Sequence, residues 1–335
     1  MSKRAGRQSV LFQSGVSFLA HHSIVGQKES EGPLGKHFEQ VERDPYFGQE
    51  NWEEAESRLY SMALSSLIKK SGEKTEDINY IICGDLLDQC TASAFGIKES
   101  GIPYLGVYGA CSTMAESLSV AAMLTDGGFS EKAICLAGSH FCSAEKQFRF
   151  PLQYGGQRPP TAQWTVTGIG GALIGFGGKV EITSVTTGKI CDKGINDANN
   201  MGAAMAPAFA DTVKTHFEDT GKTPGDYDLI LSGDLGLIGM EIARELLLKE
   251  GHDISKVYGD CGAMIFDKET QDTHAGGSGC GCSGSVLCGY ILPQMEKGKF
   301  KRVLFVATGA LMSATSGKQG RSIPSIAHAV ALEVK

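Results

Sequence analysis

The chain has 335 residues, of which 41% are hydrophobic and 44 are glycine, and its formal net charge is −7. This length predicts two domains or one domain built from two similar halves, and the composition excludes global disorder. The acidic chain lacks the basic surface of a nucleic-acid-binding protein. Because its apolar runs are short, we expect neither a membrane-spanning helix nor a signal peptide.

Apolar and amphipathic segments alternate along the first half of the chain. The spacing of Ala55, Leu59 and Met62 gives one helix an apolar face, and Gly72 suits the position just after its end. The elements predicted in this half are strands over 9–20, 78–83, 101–107, 133–137 and 169–176, helices over 52–70 and 111–124, and a loop over 21–50.

The segment 139–165 follows neither the period of a helix nor that of a strand. It carries Arg149, Arg158, three prolines and several aromatic side chains. Loops of this length without regular structure are often functional. We therefore predict a functional loop here.

The second half repeats the alternation of strands and helices, which indicates an α/β protein. The elements predicted there are strands over 180–186, 229–231 and 303–307, helices over 208–220, 239–249 and 285–297, an irregular stretch over 187–208 and a glycine-rich segment over 259–284.

One supersecondary plan occurs twice in the chain. The run DINYIICGDL, which ends at Leu86, resembles DYDLILSGDL, which ends at Leu235. Cys111 lies 171 residues before Cys282, and each cysteine is followed by a helix of small residues, a glycine turn and an apolar strand. Such self-similarity predicts a duplication, with an N-terminal half over 1–178 and a C-terminal half over 179–335.

The ten cysteines lie mostly inside apolar runs such as YIICGDL and AICLAGSH. This placement is typical of small buried side chains in a reducing compartment. Their spacing does not match the cysteine pairs that bind zinc. We therefore expect no metal site and no disulfide framework.

The duplicated α/β plan, with a cysteine at the start of a buried helix, resembles the thiolase superfamily. The segment GVYGACSTMAESLSVAAML fits the nucleophile segment of that superfamily and places Cys111 at the nucleophile position. The resemblance implies a thiolase-like fold, in which two similar halves form a layered α-β-α-β-α body, and a homodimer. It also places the loop over 139–165 where the superfamily covers its substrate.

The start of a helix affects a cysteine in two ways. The macrodipole and the free N–H groups there lower the pKa of a thiol, and the same groups attract an anionic ligand. Cys111 therefore has three possible roles: a nucleophile, part of an anion pocket, or a small core residue.

The histidines that condensing enzymes of this superfamily use are missing. One family histidine follows the strand that matches 229–231, where this chain reads Ser232-Gly233-Asp234. Ser278 stands where the second family histidine is expected, and Cys280 replaces the synthase asparagine. His140, directly after a predicted strand, is a candidate to line the pocket. We expect no catalytic residues of the condensing type.

Over essentially its whole length the chain more specifically resembles the stage V sporulation protein AD family of spore-forming bacteria. The segments KRAGRQSVLF, QYGGQRPPTAQWTVTG, MGAAMAPAF and SGCGCSGSVLCGYILP carry this resemblance. It implies a protein that binds dipicolinic acid, as its calcium chelate, and needs no other cofactor. It also implies action with membrane proteins of the same sporulation operon, in dipicolinate uptake and germination, and a peripheral place at the spore inner membrane.

Dipicolinate is a flat aromatic dianion, so its pocket needs apolar walls and donors for two carboxylates. Arginine makes bidentate contacts with carboxylates, and Asp192 is a candidate to hold calcium or share a proton with the ligand. The predicted ligand-binding residues are Cys111, His140, Arg149, Arg158, Asp192, Ser278 and Cys280, with Phe148, Phe150, Tyr154 and Trp164 as candidate walls. Two alternatives stay open: an acyltransferase using Cys111 with rewired partners, and a scaffold whose pocket is a relic.

Overall fold

The computed structural model describes residues 3–149 and 157–335. Within these ranges the strands are β1 (Arg4–Ala5), β2 (Ser9–Leu11), β3 (Val16–Gly26), β4 (Gln40–Glu42), β5 (Tyr80–Gly84), β6 (Tyr104–Gly106), β7 (Ala133–Ser139), β8 (Trp164–Thr165), β9 (Gly168–Phe176), β10 (Val180–Thr187), β11 (Leu229–Ser232), β12 (Tyr258–Asp260), β13 (Gly277–Ser278), β14 (Arg302–Ala310) and β15 (Ser325–Val334). The helices are α1 (Gln27–Ser30), α2 (Trp52–Ser71), α3 (Thr91–Ile97), α4 (Thr113–Asp126), α5 (Phe141–Gln147), α6 (Met201–Thr220), α7 (Gly236–Lys249), α8 (Cys261–Ile265), α9 (Cys280–Val286), α10 (Leu292–Glu296) and α11 (Ala314–Lys318).

The main sheet has the strand order β12-β11-β14-β15-β10-β3-β9-β7-β5-β6. Its two five-stranded parts follow one plan. In the first, β3 pairs antiparallel with β9, β9 antiparallel with β7, and β7, β5 and β6 run parallel. In the second, β10 pairs antiparallel with β15, β15 antiparallel with β14, and β14, β11 and β12 run parallel. The same topology therefore occurs twice.

The two five-stranded parts join where Glu181 of β10 pairs with Ser17 of β3. Residues 177–179 connect β9 to β10. The predicted division into halves over 1–178 and 179–335 falls in this connection. It stays a prediction, since the two parts share one hydrogen-bonded sheet and are not separated by a linker.

Helices α4 and α9 lie between the two parts of the sheet. Helix α4 contacts β5 and β7 on one side and β14 and β15 on the other, and every residue of α9 is buried. Helix α9 consists of small and apolar residues, and nine of the 14 residues of α4 are buried, as expected of helices in a central layer. Helices α2 and α3 pack outside the first part, and α6 and α7 pack outside the second. The predicted thiolase-like α-β-α-β-α layering is thereby confirmed.

Small residues allow α9 to lie directly on β9. A Cβ atom added at Gly170 of β9 would overlap the carbonyl oxygen of Gly284 on α9. Backbone approaches this close exclude any side chain. These close backbone contacts fix how deeply the glycine-rich segment lies in the core.

Several element predictions need correction. The predicted loop over 21–50 begins too early, because β3 continues to Gly26 with its side chains buried. Helix α6 starts at Met201, where Asn200 caps it, and it tolerates Pro207 within its second turn. The stretch 139–165 is not all loop, since it includes α5 and β8.

In the described residues no helix combines the length and the apolar character that crossing a bilayer requires.

Candidate functional site

A cavity opens at the carboxyl ends of the parallel strands, between the two parts of the sheet. This is the edge where α/β proteins place ligands. Its empty space amounts to about 540 Å³ when the part that is open to solvent is counted. The described residues that line it are Leu86, Asp88, Tyr108, Ala110, Cys111, Gln147, Phe148, Arg149, Met201, Ser278, Ala310, Met312, Ser313 and Ala314.

Cys111 lies in a single 3-10 turn, Ala110–Ser112, that leads into α4. Ala110 before it has φ = 50°, a left-handed conformation that is uncommon for a residue with a side chain. The thiol is buried and lines the cavity.

The helix start does not activate this thiol. Burial raises the pKa of Cys111 well above its usual value, and the carboxylate of Asp234 raises it further. The lowering effect of Arg149 and of the Gly279 N–H is smaller. The expected low pKa is therefore wrong, because the sequence did not reveal the acid beside the thiol. At neutral pH Cys111 is a protonated thiol, which is a poor nucleophile.

Asp234 is the site residue that the sequence analysis missed. Its carboxyl is fully buried below the cavity floor. It accepts hydrogen bonds from the Gly279 N–H at 2.8 Å, from Ser278 Oγ at 3.2 Å and from Thr308 Oγ1 at 3.1 Å. Burial raises the pKa of Asp234 to about 6, against the lowering effect of the Gly279 hydrogen bond.

A signal for Asp234 was present in the repeat. The same Gly-Asp-Leu follows β5 as Gly84-Asp85-Leu86 and β11 as Gly233-Asp234-Leu235. Asp85 accepts hydrogen bonds from the backbone N–H groups of Leu87 and Ser93, so it organises the start of α3. Asp234 instead faces Ser278 and Cys111.

Arg149 is the cation of the cavity among the described lining residues. Its Nη1 donates a hydrogen bond to Thr165 Oγ1 at 2.7 Å, and Thr165 pairs with Ser278 between β8 and β13. The Nε atom is buried without a hydrogen-bond partner in the described chain. Burial lowers the pKa of this guanidinium, but an arginine stays charged at neutral pH.

Ser278 lines the cavity beside Cys111. Cys280 lies behind the wall, with its Sγ 3.0 Å from the carbonyl oxygen of Gly138. The structure thus brings Cys111, Arg149 and Ser278 to one cavity and places Cys280 next to it.

Arg158 lies outside this cavity. Its guanidinium forms an ion pair with Glu145 at 3.0 Å and lies 4.4 Å from the ring centre of Trp164 and 4.9 Å from that of Phe141. The rings of Phe141 and Trp164 stack on each other at 3.9 Å. Arg158 therefore packs against this aromatic pair through cation–π contacts.

His140 and Asp192 also lie away from the cavity. The Nε2 atom of His140 is 2.7 Å from the carbonyl oxygen of Pro45, and its Nδ1 caps α5. Burial lowers the pKa of His140. Asp192 is exposed and accepts a hydrogen bond from Ser322 Oγ at 2.6 Å.

Of the candidate aromatic walls, Phe148 lines the cavity. Phe150 and Tyr154 lie outside the described residues. Within the described chain no group of three His, Cys, Asp or Glu side chains is arranged to hold a metal ion.

Comparison with known proteins identifies the family. The family model described as stage V sporulation protein AD matches residues 6–333. The chain belongs to that family. A curated relative, stage V sporulation protein AD of Bacillus subtilis (strain 168), is 42% identical over 332 residues, which cover 99% of this chain and 98% of the relative.

Solved structures similar to this family member include condensing enzymes. The 3-oxoacyl-[acyl-carrier-protein] synthase III of Aquifex aeolicus VF5 has a TM-score of 0.55 at 12% identity, covering 95% of this chain and 100% of the synthase. A tetronic acid condensing enzyme has a TM-score of 0.53 at 17% identity, covering 95% of this chain and 99% of the enzyme. At these identities the likeness establishes the shared fold alone.

Proposed function

We propose that this chain binds dipicolinic acid, as its calcium chelate, in the Cys111–Arg149–Ser278 cavity, and that it does not condense acyl groups. The observation that carries the proposal is the guanidinium of Arg149, whose Nε is buried beside the cavity without a hydrogen-bond partner in the described chain. A buried unpaired donor is costly. A ligand carboxylate that accepts a hydrogen bond from Arg149 Nε removes this cost.

The other walls suit a flat ring. Tyr108 and Phe148 line the cavity together with Leu86, Met201 and Met312, and apolar walls with a few convergent polar groups are typical of small-molecule sites. In the 3-10 turn Ala110–Ser112 the Ser112 N–H is donated to the Gly109 carbonyl oxygen at 3.0 Å, so we propose the N–H groups of Ala110 and Cys111 as the donors for a second carboxylate.

The same cavity is poorly equipped for acyl transfer. A nucleophilic cysteine needs a base or a cation that stabilises its thiolate, whereas burial and Asp234 both raise the pKa of Cys111. Ser278 supplies no group that titrates near neutral pH. These features support a binding role.

We further propose that the protein acts at the spore inner membrane as a peripheral partner of membrane proteins from the same operon, in dipicolinate uptake and germination. Its family membership supports this role. We also propose a homodimer, because Tyr104 and Leu105 are exposed on β6, the outermost strand of the first part of the sheet.

Calorimetric titration with sodium dipicolinate, with and without equimolar Ca²⁺, tests the proposal. We expect one ligand per chain and tighter binding with Ca²⁺. Absence of binding in both titrations would exclude the proposed ligand and favour a scaffold with a relic pocket.

An acyltransferase remains a second candidate because Cys111 retains the nucleophile position of a fold shared with condensing enzymes. Incubation with acyl-coenzyme A followed by mass spectrometry of the intact protein tests it. An acyl adduct on Cys111 would establish acyl transfer if the adduct disappears, or moves to another residue, in Cys111→Ser.

A further inference from the structure

The floor of the cavity rests on a fully buried carboxyl group. Asp234 accepts hydrogen bonds from one amide and two hydroxyls and also interacts with the thiol of Cys111; the Ser278 hydroxyl and this thiol both line the cavity. The Gly279 amide must donate, but the hydroxyls of Ser278 and Thr308 can each donate or accept. The protonation of Asp234 therefore decides which way these hydroxyls point.

The ionised form disfavours an anionic ligand. A carboxylate only accepts hydrogen bonds, so Ser278 directs its proton at Asp234 and presents lone pairs to the cavity. A ligand carboxylate then meets an acceptor at Ser278 and a second negative charge just below it. Like charges at such short range oppose each other strongly in a buried site.

The protonated form favours the same ligand. The new O–H of Asp234 donates to the hydroxyl of Thr308 or Ser278, and Ser278 can turn its own proton into the cavity as a donor. For the ligand without Ca²⁺, free protein with ionised Asp234, one solvent proton and the ligand dianion give a complex with neutral Asp234. No other atom or electron is exchanged.

We propose that Asp234 is a specificity-determining residue that couples the binding of a carboxylate ligand in this cavity to the uptake of one proton through Ser278. The inference rests on the proposed function, because it assumes that the cavity takes a carboxylate. It adds that affinity rises as the solution becomes more acidic, until the ligand itself protonates.

Asp234 is the acid that contacts Ser278, and burial also raises the pKa of its neighbour Asp260. Burial raises the pKa of Asp234 to about 6, and Asp260 adds to the rise. Asp260 itself accepts hydrogen bonds from Ser232 Oγ and from three backbone N–H groups. The other titratable or charged groups that face Asp234 are Arg149 and the thiols of Cys111, Cys261, Cys280 and Cys282. Burial raises the pKa of each of these thiols, so they stay protonated.

Calorimetry of the full chain with sodium dipicolinate tests the inference. Titrations at about pH 5.5, 6.5 and 7.5, each in two buffers that differ in protonation enthalpy, give both the affinity and the protons taken up. We expect binding roughly tenfold tighter at the lowest than at the highest pH, with uptake approaching one proton near neutrality.

Two variants separate the proton linkage from a structural role. Asp234→Asn removes the titrating group, and Ser278→Ala removes the hydroxyl that connects it to the cavity. We expect pH-independent binding without proton uptake for the first and a flattened pH profile for the second. Asp253→Asn, an exposed acid beyond α7, should keep the wild-type profile.

The outcomes distinguish this inference from the proposed function. Wild-type binding without proton uptake, or binding that weakens as the pH falls, overturns the linkage and leaves the ligand assignment intact. Absence of wild-type binding at every pH overturns both. The wild-type measurement decides even where Asp234→Asn does not fold.

Discussion

At the residue scale, the protonation of Cys111 distinguishes a binding pocket from an active site. The sequence placed this cysteine correctly at the start of a buried helix, but it could not show that Asp234 faces it from the other part of the sheet. The two residues lie in different halves of the chain. Contact between such distant positions depends on how the two parts of the sheet stack around α4 and α9, and no local pattern records it.

The high pKa of Cys111 predicts slow alkylation. We expect iodoacetamide to modify Cys111 in the folded protein at about pH 7.5 at least ~10-fold more slowly than an unfolded cysteine, because little thiolate is present. Peptide mass spectrometry over time measures the rate.

Steric protection alone would also slow the reaction, and Asp234→Asn separates the two causes. Removing the carboxylate lowers the pKa of Cys111 without opening the cavity, so alkylation should accelerate. An unchanged rate in this variant would contradict the electrostatic explanation.

The remaining site predictions divide by distance from the cavity. Arg149 and Ser278 line it, whereas Arg158, His140 and Asp192 do not. Arg149 and Arg158 come from the same irregular stretch. The sequence could not show which arginine lines the cavity, because the difference lies in their tertiary partners. Arg149 contacts Thr165, whereas Arg158 pairs with Glu145.

At the element scale, the strongest periodic signals gave accurate elements. The helix predicted over 52–70 is α2, with Asn51 capping its start and Gly72 in a left-handed conformation after its end. The failures have tertiary causes. Strand β15 was not predicted at all, yet it lies between β14 and β10 with His328 buried in it.

The close approach of α9 to β9 predicts a strict requirement for glycine. We expect Gly170→Ala to lower the free energy of unfolding by about 1–3 kcal/mol or more, because its methyl group would overlap the backbone of α9. Urea unfolding followed by circular dichroism measures the loss.

Gly317→Ala in α11 is the matched control, since an added Cβ there meets nothing within 4 Å. Its stability should equal that of the wild type or exceed it slightly. If Gly170→Ala were as stable as this control, the packing of α9 on β9 would have to be different.

At the scale of the whole molecule, a partly buried ion cluster ties β3 to α2 and predicts sensitivity to acid. Glu39 accepts a hydrogen bond from His22 Nδ1 at 2.8 Å and pairs with Lys70 Nζ at 2.8 Å. Burial raises the pKa of Glu39, but these two partners outweigh it and lower the pKa to about 2. The stabilisation is therefore present above the unfolded pKa and is lost as the pH falls from about 4.5 towards 2.

We expect Glu39→Gln to cost about 1 kcal/mol of stability at neutral pH, after allowance for solvent screening. The difference from the wild type should shrink by about pH 3. Glu99→Gln, whose side chain is 91% exposed, should cost nothing measurable at either pH. A constant difference across the pH range would show that Glu39 does not stabilise the fold as a charged group.

Among the strands of the described residues, β6 is the last at its end of the sheet, and its outer edge predicts the assembly. Light scattering at micromolar concentration should give twice the 35.5 kDa of one chain. Leu105→Lys, which places a charge on this edge, should shift the protein towards the monomer. A wild-type mass of one chain would contradict the proposed homodimer.

The most direct test of the central claim, that the cavity binds a carboxylate and does not use Cys111 as a nucleophile, is dipicolinate titration of Arg149→Ala and Cys111→Ala side by side. Removing a charged hydrogen bond costs about 1.5–3 kcal/mol, so Arg149→Ala should weaken binding about 10- to 150-fold. Cys111→Ala keeps the backbone N–H groups and should retain part of the binding. Arg244→Ala, a surface arginine of α7, should bind like the wild type. Loss of binding in Cys111→Ala with unchanged binding in Arg149→Ala would contradict the account.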